Sequence, residues 1–166
     1  DEYPPGPHGG IGSFVQMLGR ALVAAGHQVK VIGLYHNDYP AADSEEDHGV
    51  QVRRLKRRIG HFGWIWGRYR VFRKISSWSR GREIDLVEVV DYGGPSALWP
   101  KLRVPVVTRL HGSATYFAAE LNTKVPRTMY RLEKAALKRA DFCCSVSQYT
   151  ARKTKDVFNL PALPDA

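Results

Sequence analysis

The sequence predicts an α/β fold with a mostly parallel sheet, and three observations carry that prediction. Segments with helical apolar spacing alternate with short, β-branched runs along the 166 residues, which is the pattern of βαβ units. The runs at 85–91, 104–111 and 141–147 are apolar on both faces, as strands covered by helices on either side must be. A glycine-rich stretch, PGPHGGIGSF from Pro5 to Phe14, leads straight into a helical pattern, an arrangement that suits anion binding in such folds.

The elements come in a clear order. Ser13 is placed to cap a helix whose apolar stripe is Phe14, Val15, Leu18, Leu22 and Ala25, and Gly26 stands where a left-handed C-terminal residue is wanted. A strand is expected over 28–35, an acidic loop over 36–49, a second strand over 50–56 and a basic, aromatic helix over 59–80. Strands at 85–91 and 104–111 flank a short helix or turn at 96–101. A helix over 127–139, a strand over 141–147 and a helix start capped by Ser147 complete the order. A strand normally precedes a glycine-rich loop of this kind, and only Asp1-Glu2-Tyr3 does so here. In a doubly wound sheet that first strand would be central, so the expectation is a fragment whose first strand is missing.

Composition narrows the class. An apolar fraction of 43% fits a globular domain, and no apolar run is long enough to span a membrane. The adjacent Cys143 and Cys144 would point to opposite faces of a strand, so neither a mutual disulfide nor a metal site is expected, which suits a reducing cytoplasm. The formal charge is +9, and eleven of the 25 Lys and Arg residues fall between Gln51 and Arg82, where there is no Asp or Glu. Such a tract points to an anionic partner.

Two places suggest chemistry. Gly9, Gly10 and Gly12 before the helix, with Ser13, could hold a phosphate on backbone amides; a tight turn is the plainer reading. The spacing is neither a dinucleotide fingerprint nor a Walker loop. His111-Gly112 closes the 104–111 strand on the edge where open α/β sheets bind ligands. There it could bond a hydroxyl or move a proton, or simply satisfy a backbone group. Asp91 and Tyr92 end the neighbouring strand on that edge and Ser147 ends the next, as a cleft requires.

The stretches EYPPGPHGGIGSFVQMLGRALVAAGHQVKVIG, VEVVDYGGP, PVVTRLHGS and RLEKAALKRADFCCSVSQYTARKT together resemble the amino-terminal domain of family 4 glycosyltransferases, enzymes of GT-B architecture. The match is weakest over 57–82. The resemblance implies a Rossmann-like three-layer sandwich over 1–166, the acceptor-side half of a metal-independent hexosyltransferase. The enzyme would move a sugar, with retention, from a nucleotide-sugar to a polysaccharide, lipid-linked or small glycoside acceptor. It implies that Gly9, Gly10, Gly12 and Ser13 approach the donor diphosphate, that His111 is catalytic beside the transferred sugar, and that Asp91, Tyr92, Gly112 and Ser147 contact sugar or acceptor. No cofactor is implied beyond the nucleotide-sugar substrate. The nucleotide-binding carboxy-terminal domain is absent from this sequence, so the chain is not expected to act alone.

On a helical wheel, Phe62, Ile65, Trp66, Tyr69 and Phe72 form one arc and Trp64, Val71, Ile75 and Trp78 a second. One arc must pack on the sheet. The other, with Trp64, Trp78, Arg68, Arg70 and Lys74, is read as a surface for an anionic membrane, at the inner face of a cytoplasmic location. Two readings of other classes stand beside this one. A non-catalytic Rossmann-like binding or regulatory domain is the first. A nucleic-acid-binding module is the second, and it lacks any recognised motif.

Overall fold

The computed structural model describes residues 2–57, 60 and 63–162. The chain forms two compact units, Asp1–Val71 and Phe72–Ala166.

In the first unit, α1 (Gly10–Ala24) precedes β1 (Lys30–Tyr35), β2 (Ser44–Asp47) and β3 (Val50–Lys56). β3 is central, parallel to β1 and antiparallel to β2. Strand β2 corrects the loop expected over 36–49. Its hairpin turns at His48 and Gly49, both with positive φ, as a two-residue turn between twisted strands requires. The acids there are structural. Asp47 accepts from Arg20, Gln16 and Tyr3, and the Arg20 bond above all holds its carboxyl down at about 2. Glu45 pairs with Arg54, whose side chain is fully buried and also donates to the carbonyls of Pro4 and Ala42. Tyr3, Tyr35, Val50 and Val52 form the core beneath α1.

The helix α2 (Gly63–Arg80) leads into the second unit. Residues 59, 61 and 62, which belong to the helix expected over 59–80, lie outside the described residues. Beyond it come β4 (Val87–Val90), β5 (Val106–Leu110), α3 (Ala114–Glu120), α4 (Arg127–Arg139), β6 (Phe142–Ser145) and α5 (Gln148–Val157). The strands form an all-parallel sheet in the order β4-β5-β6. Leu110, Leu137, Ala140, Cys143, Phe158 and Leu160 make its core.

The α/β fold with a mostly parallel sheet is therefore what the chain adopts, with two further corrections. Helix α1 begins at Gly10 with Gly9 as N-cap, so Ser13 lies inside its first turn and caps nothing. Of the short helix or turn expected over 96–101, the chain forms the turn, held by Ala97 N to Gly94 O and Trp99 N to Ser96 O bonds. Helix α3 appears where none was expected, started by Ser113, whose hydroxyl accepts from Tyr116 N. Cys143 and Cys144 are free; Cys143 is buried, which pushes its thiol up to about 11. The two sheets share no ladder among the described residues.

Candidate functional site

The parallel order of the second sheet brings three strand ends to one edge. From β4 the chain runs into Asp91-Tyr92-Gly93, from β5 into His111-Gly112-Ser113, and from β6 into Val146-Ser147. Register keeps them level: Val90 lies beside Arg109, and Leu110 beside Ser145.

Two buried carboxylates organise this rim. Asp91 is 1% exposed and accepts from His111 N on one oxygen and from Gly112 N on the other, each at 3.1 Å. Glu133, on α4, is fully buried. Its Oε1 accepts from Gly93 N and Ala114 N, both at 2.9 Å. Its Oε2 accepts from Thr115 N at 3.0 Å and from the Thr115 hydroxyl. Backbone donors in a buried loop must find acceptors, and these two side chains supply them. Gly112 has φ +107°, and a Cβ there would meet the Phe117 ring at 3.0 Å. The position demands glycine on both counts.

Charge is set by that burial. Desolvation lifts the Asp91 carboxyl to about 6, against the pull of its two amide donors and with the nearby Glu133 charge adding to the rise. Burial, then the Arg109 cation, lowers His111 below the ordinary imidazole value, so a neutral ring stands at the rim at neutral pH. Arg109 itself is held by a bidentate pair with Glu88, at 2.7 Å on each side.

The remaining expected residues are divided between the two units. Tyr92 is exposed beside Asp91. Ser147 caps α5, accepting from Thr150 N at 3.0 Å, so its hydroxyl oxygen is already engaged at the helix start. The structure thus gathers Asp91, Tyr92, His111, Gly112 and Ser147 along one sheet edge. Gly9, Gly10, Gly12 and Ser13 belong to the first unit, at the start of α1. No side chain caps that end, although Gly9 N donates to the Glu2 carboxylate at 3.3 Å. Around Gly10 there is open space, whereas a Cβ on Gly12 would fall 2.0 Å from the Glu2 carbonyl oxygen.

On α2, Trp64, Ile65, Trp66 and Tyr69 are exposed. Arg68 lies over the Trp64 ring at 5.6 Å. Arg70 donates to Lys56 O, and Lys74 sits over the Trp78 ring. Trp78 is itself buried, at 8% exposure. Ile75 and Trp78 are the packed end of their arc, so Trp78 is corrected out of any lipid-facing surface. Among the described residues no cluster of His, Cys, Asp or Glu could hold a metal ion.

Sequence reasoning missed Glu133 as the organiser of the rim. One signal was available: it lies at helical spacing from Tyr130 and Leu137, an acid on the apolar stripe of α4.

The family model described as Glycosyltransferase Family 4 matches residues 8–164 of the chain. No curated protein matches it.

The Asp91 shift has a stability consequence. Between the ordinary carboxylate value and about 6, the folded protein keeps a proton that the unfolded chain has released. Stability is therefore highest below that window and falls as pH rises through it, by about 3 kcal/mol at ~1.4 kcal/mol per unit. The lowered His111 value contributes an opposite slope to both proteins, so in urea the stability of the native protein relative to Asp91→Asn is expected to fall as pH rises from 4 to 7. Parallel profiles for the two proteins would contradict it.

Proposed function

Because this chain belongs to glycosyltransferase family 4, we propose that it is the acceptor-side half of a retaining, metal-independent hexosyltransferase that uses a nucleotide-sugar donor. The observation that carries this reading is the rim of the second unit, within a match that runs from residue 8 to 164. A neutral imidazole stands there on a loop fixed by two buried carboxylates.

In this reading the acceptor is a polysaccharide, a lipid-linked glycan or a small glycoside. Its hydroxyl attacks the anomeric carbon of the donor sugar, the bond to the diphosphate breaks with its electron pair leaving on the diphosphate oxygen, and the hydroxyl proton passes to that oxygen. Negative charge grows on that oxygen. The amides of Gly10 and Gly12 at the uncapped start of α1 offset it, aided by the helix dipole. The Glu2 carboxylate now beside Gly9 N would have to yield to the diphosphate. Neutral His111 accepts or donates a hydrogen bond to a hydroxyl of the transferred sugar, and Tyr92 offers an exposed aromatic surface to the acceptor. Asp91 and Gly112 act through the loop they fix. Ser147 contributes its hydroxyl proton, since its oxygen serves α5. The nucleotide is read by a carboxy-terminal domain of the longer enzyme.

We further place the enzyme at the inner face of an anionic membrane. Trp64, Ile65, Trp66 and Tyr69 insert at the interface, and Arg68, Arg70 and Lys74 meet lipid phosphates. No helix among the described residues is long and apolar enough to cross a membrane, so contact through this face is peripheral.

In the complete enzyme, His111→Ala is expected to lower kcat by about a hundredfold or more while leaving the urea midpoint nearly unchanged; unaltered turnover removes His111 from the site. Gly10→Val is the clean probe of the loop, because the space around Gly10 is open and the fold tolerates a side chain there. Its donor KM should rise, and a normal donor KM would count against the diphosphate role. For the membrane face, sedimentation with anionic vesicles should capture the chain and neutral vesicles should not. Lys74→Ala should weaken capture about fivefold, in line with ~1 kcal/mol per surface cation. Equal capture by both vesicle types refutes the proposal.

A further inference from the structure

A cleft of about 320 Å³ opens in the second unit between the last two turns of α2 and residues 100–103, the loop that feeds β5. Its helix wall is Phe72, Ser76, Ser79 and Arg80, spaced so that all four share one helix face. Lys101 and Arg103 complete it from the loop. We infer that this cleft binds a phosphate group carried on a larger, partly apolar body.

Three observations support the assignment. Arg80, Lys101 and Arg103 are all cationic, and no Asp or Glu lines the cleft. Among the described residues none of the three makes an ion pair or side-chain hydrogen bond. Like charges gathered without a counter-charge repel one another, and an anion between them removes that repulsion. The last carbonyls of α2 do not occupy these cations. Ser77 O accepts from Gly81 N, Trp78 O from Glu83 N and Ser79 O from Arg82 N.

Second, the Ser79 hydroxyl is buried in this wall, the residue being 5% exposed, and it has no hydrogen-bond partner. A buried hydroxyl normally bonds to something, in a helix often to the carbonyl one turn back. Here it is left over and closed off from solvent, so a phosphate oxygen can become its acceptor once the Ser79 side chain turns toward the cleft.

Third, the volume exceeds what a bare phosphate fills and sits at the small end of ligand clefts. Phe72 and Leu102 give the rest of it an apolar lining. A phosphate ester therefore fits better than the free ion.

The cleft lies beside the segment entering β5, while His111 lies just beyond the exit of that strand. At ~3.3 Å per residue the two are separated by up to roughly 25 Å along the chain. Occupancy here would thus leave the His111 rim uncovered, as suits an anchoring or regulatory phosphate.

The source of the phosphate, a soluble ester or a lipid headgroup, is decided by experiment. Thermal unfolding of the full chain is followed with inorganic phosphate, with sodium chloride at matched ionic strength, and with phosphatidylcholine vesicles with and without phosphatidic acid. Phosphate or phosphatidic acid should raise the midpoint where chloride does not. A response to inorganic phosphate alone indicates a soluble ester, and a response to the vesicles alone indicates a lipid. In either case the Lys101→Glu, Arg103→Glu double variant should need at least about tenfold more ligand for the same rise. Ser79→Ala should also bind more weakly, yet be no less stable than the native protein without ligand, because it removes an unpartnered hydroxyl. A midpoint unmoved by phosphate and vesicles, moved equally by chloride, or still raised in the double variant would overturn the inference.

Discussion

One carboxylate carries the candidate site. Glu133 reaches from the middle of α4 into a loop cluster and accepts from Gly93 N, Ala114 N and Thr115 N together. Hydrogen bonds to a charged group contribute about 1.5–3 kcal/mol each, and a buried donor left without its acceptor costs as much again. The turn after β4 and the start of α3 are therefore fixed by the same side chain. Asp91 repeats the device one step closer to the rim, holding His111 N and Gly112 N. Together the two acids build a strand-end loop whose geometry exists before any ligand arrives, the condition for electrostatic and positioning effects to act without reorganisation.

The first unit uses its charges differently. The acids of β2 face basic groups of the same unit, with Glu45 on Arg54 and Asp47 on Arg20. Arg54 is fully enclosed, beneath the rings of Tyr35 and Tyr39. A share of the basic tract is thus structural, and the net charge of +9 overstates what is free for a ligand. Further cations line α2 and the 100–103 loop. Both anionic partners proposed for the protein beyond its donor, the membrane and the phosphate ester, meet the chain in that region.

Periodicity made much of this fold legible. Helix α4 runs from Arg127 to Arg139, as its apolar spacing predicts, and the three strands of the second sheet fall within their apolar runs. The failures have physical causes. Strand β2 reads as loop because acids line it, and only the partners Arg54 and Arg20 make that favourable. Helix α3 is seven residues long, too short for a periodic signal, and owes its start to Ser113 and Glu133. Ser13 looks like a cap, yet the helix begins three residues earlier on glycine, so the polar residue before the first apolar one misleads. His111, Asp91 and Gly112 were legible because strand ends converge in a parallel sheet. Glu133 was not, because its role depends on contacts with residues 40 and 19 positions away.

The preformed rim depends on that buried carboxylate. Native-state amide hydrogen exchange of the ligand-free protein tests it most directly. The amides of Gly93, Ala114 and Thr115 should exchange only on global unfolding of the second unit, as slowly as those of β5. Exchange at the rate of exposed loop amides would mean that Glu133 does not hold these groups, and the preformed rim would have to be abandoned.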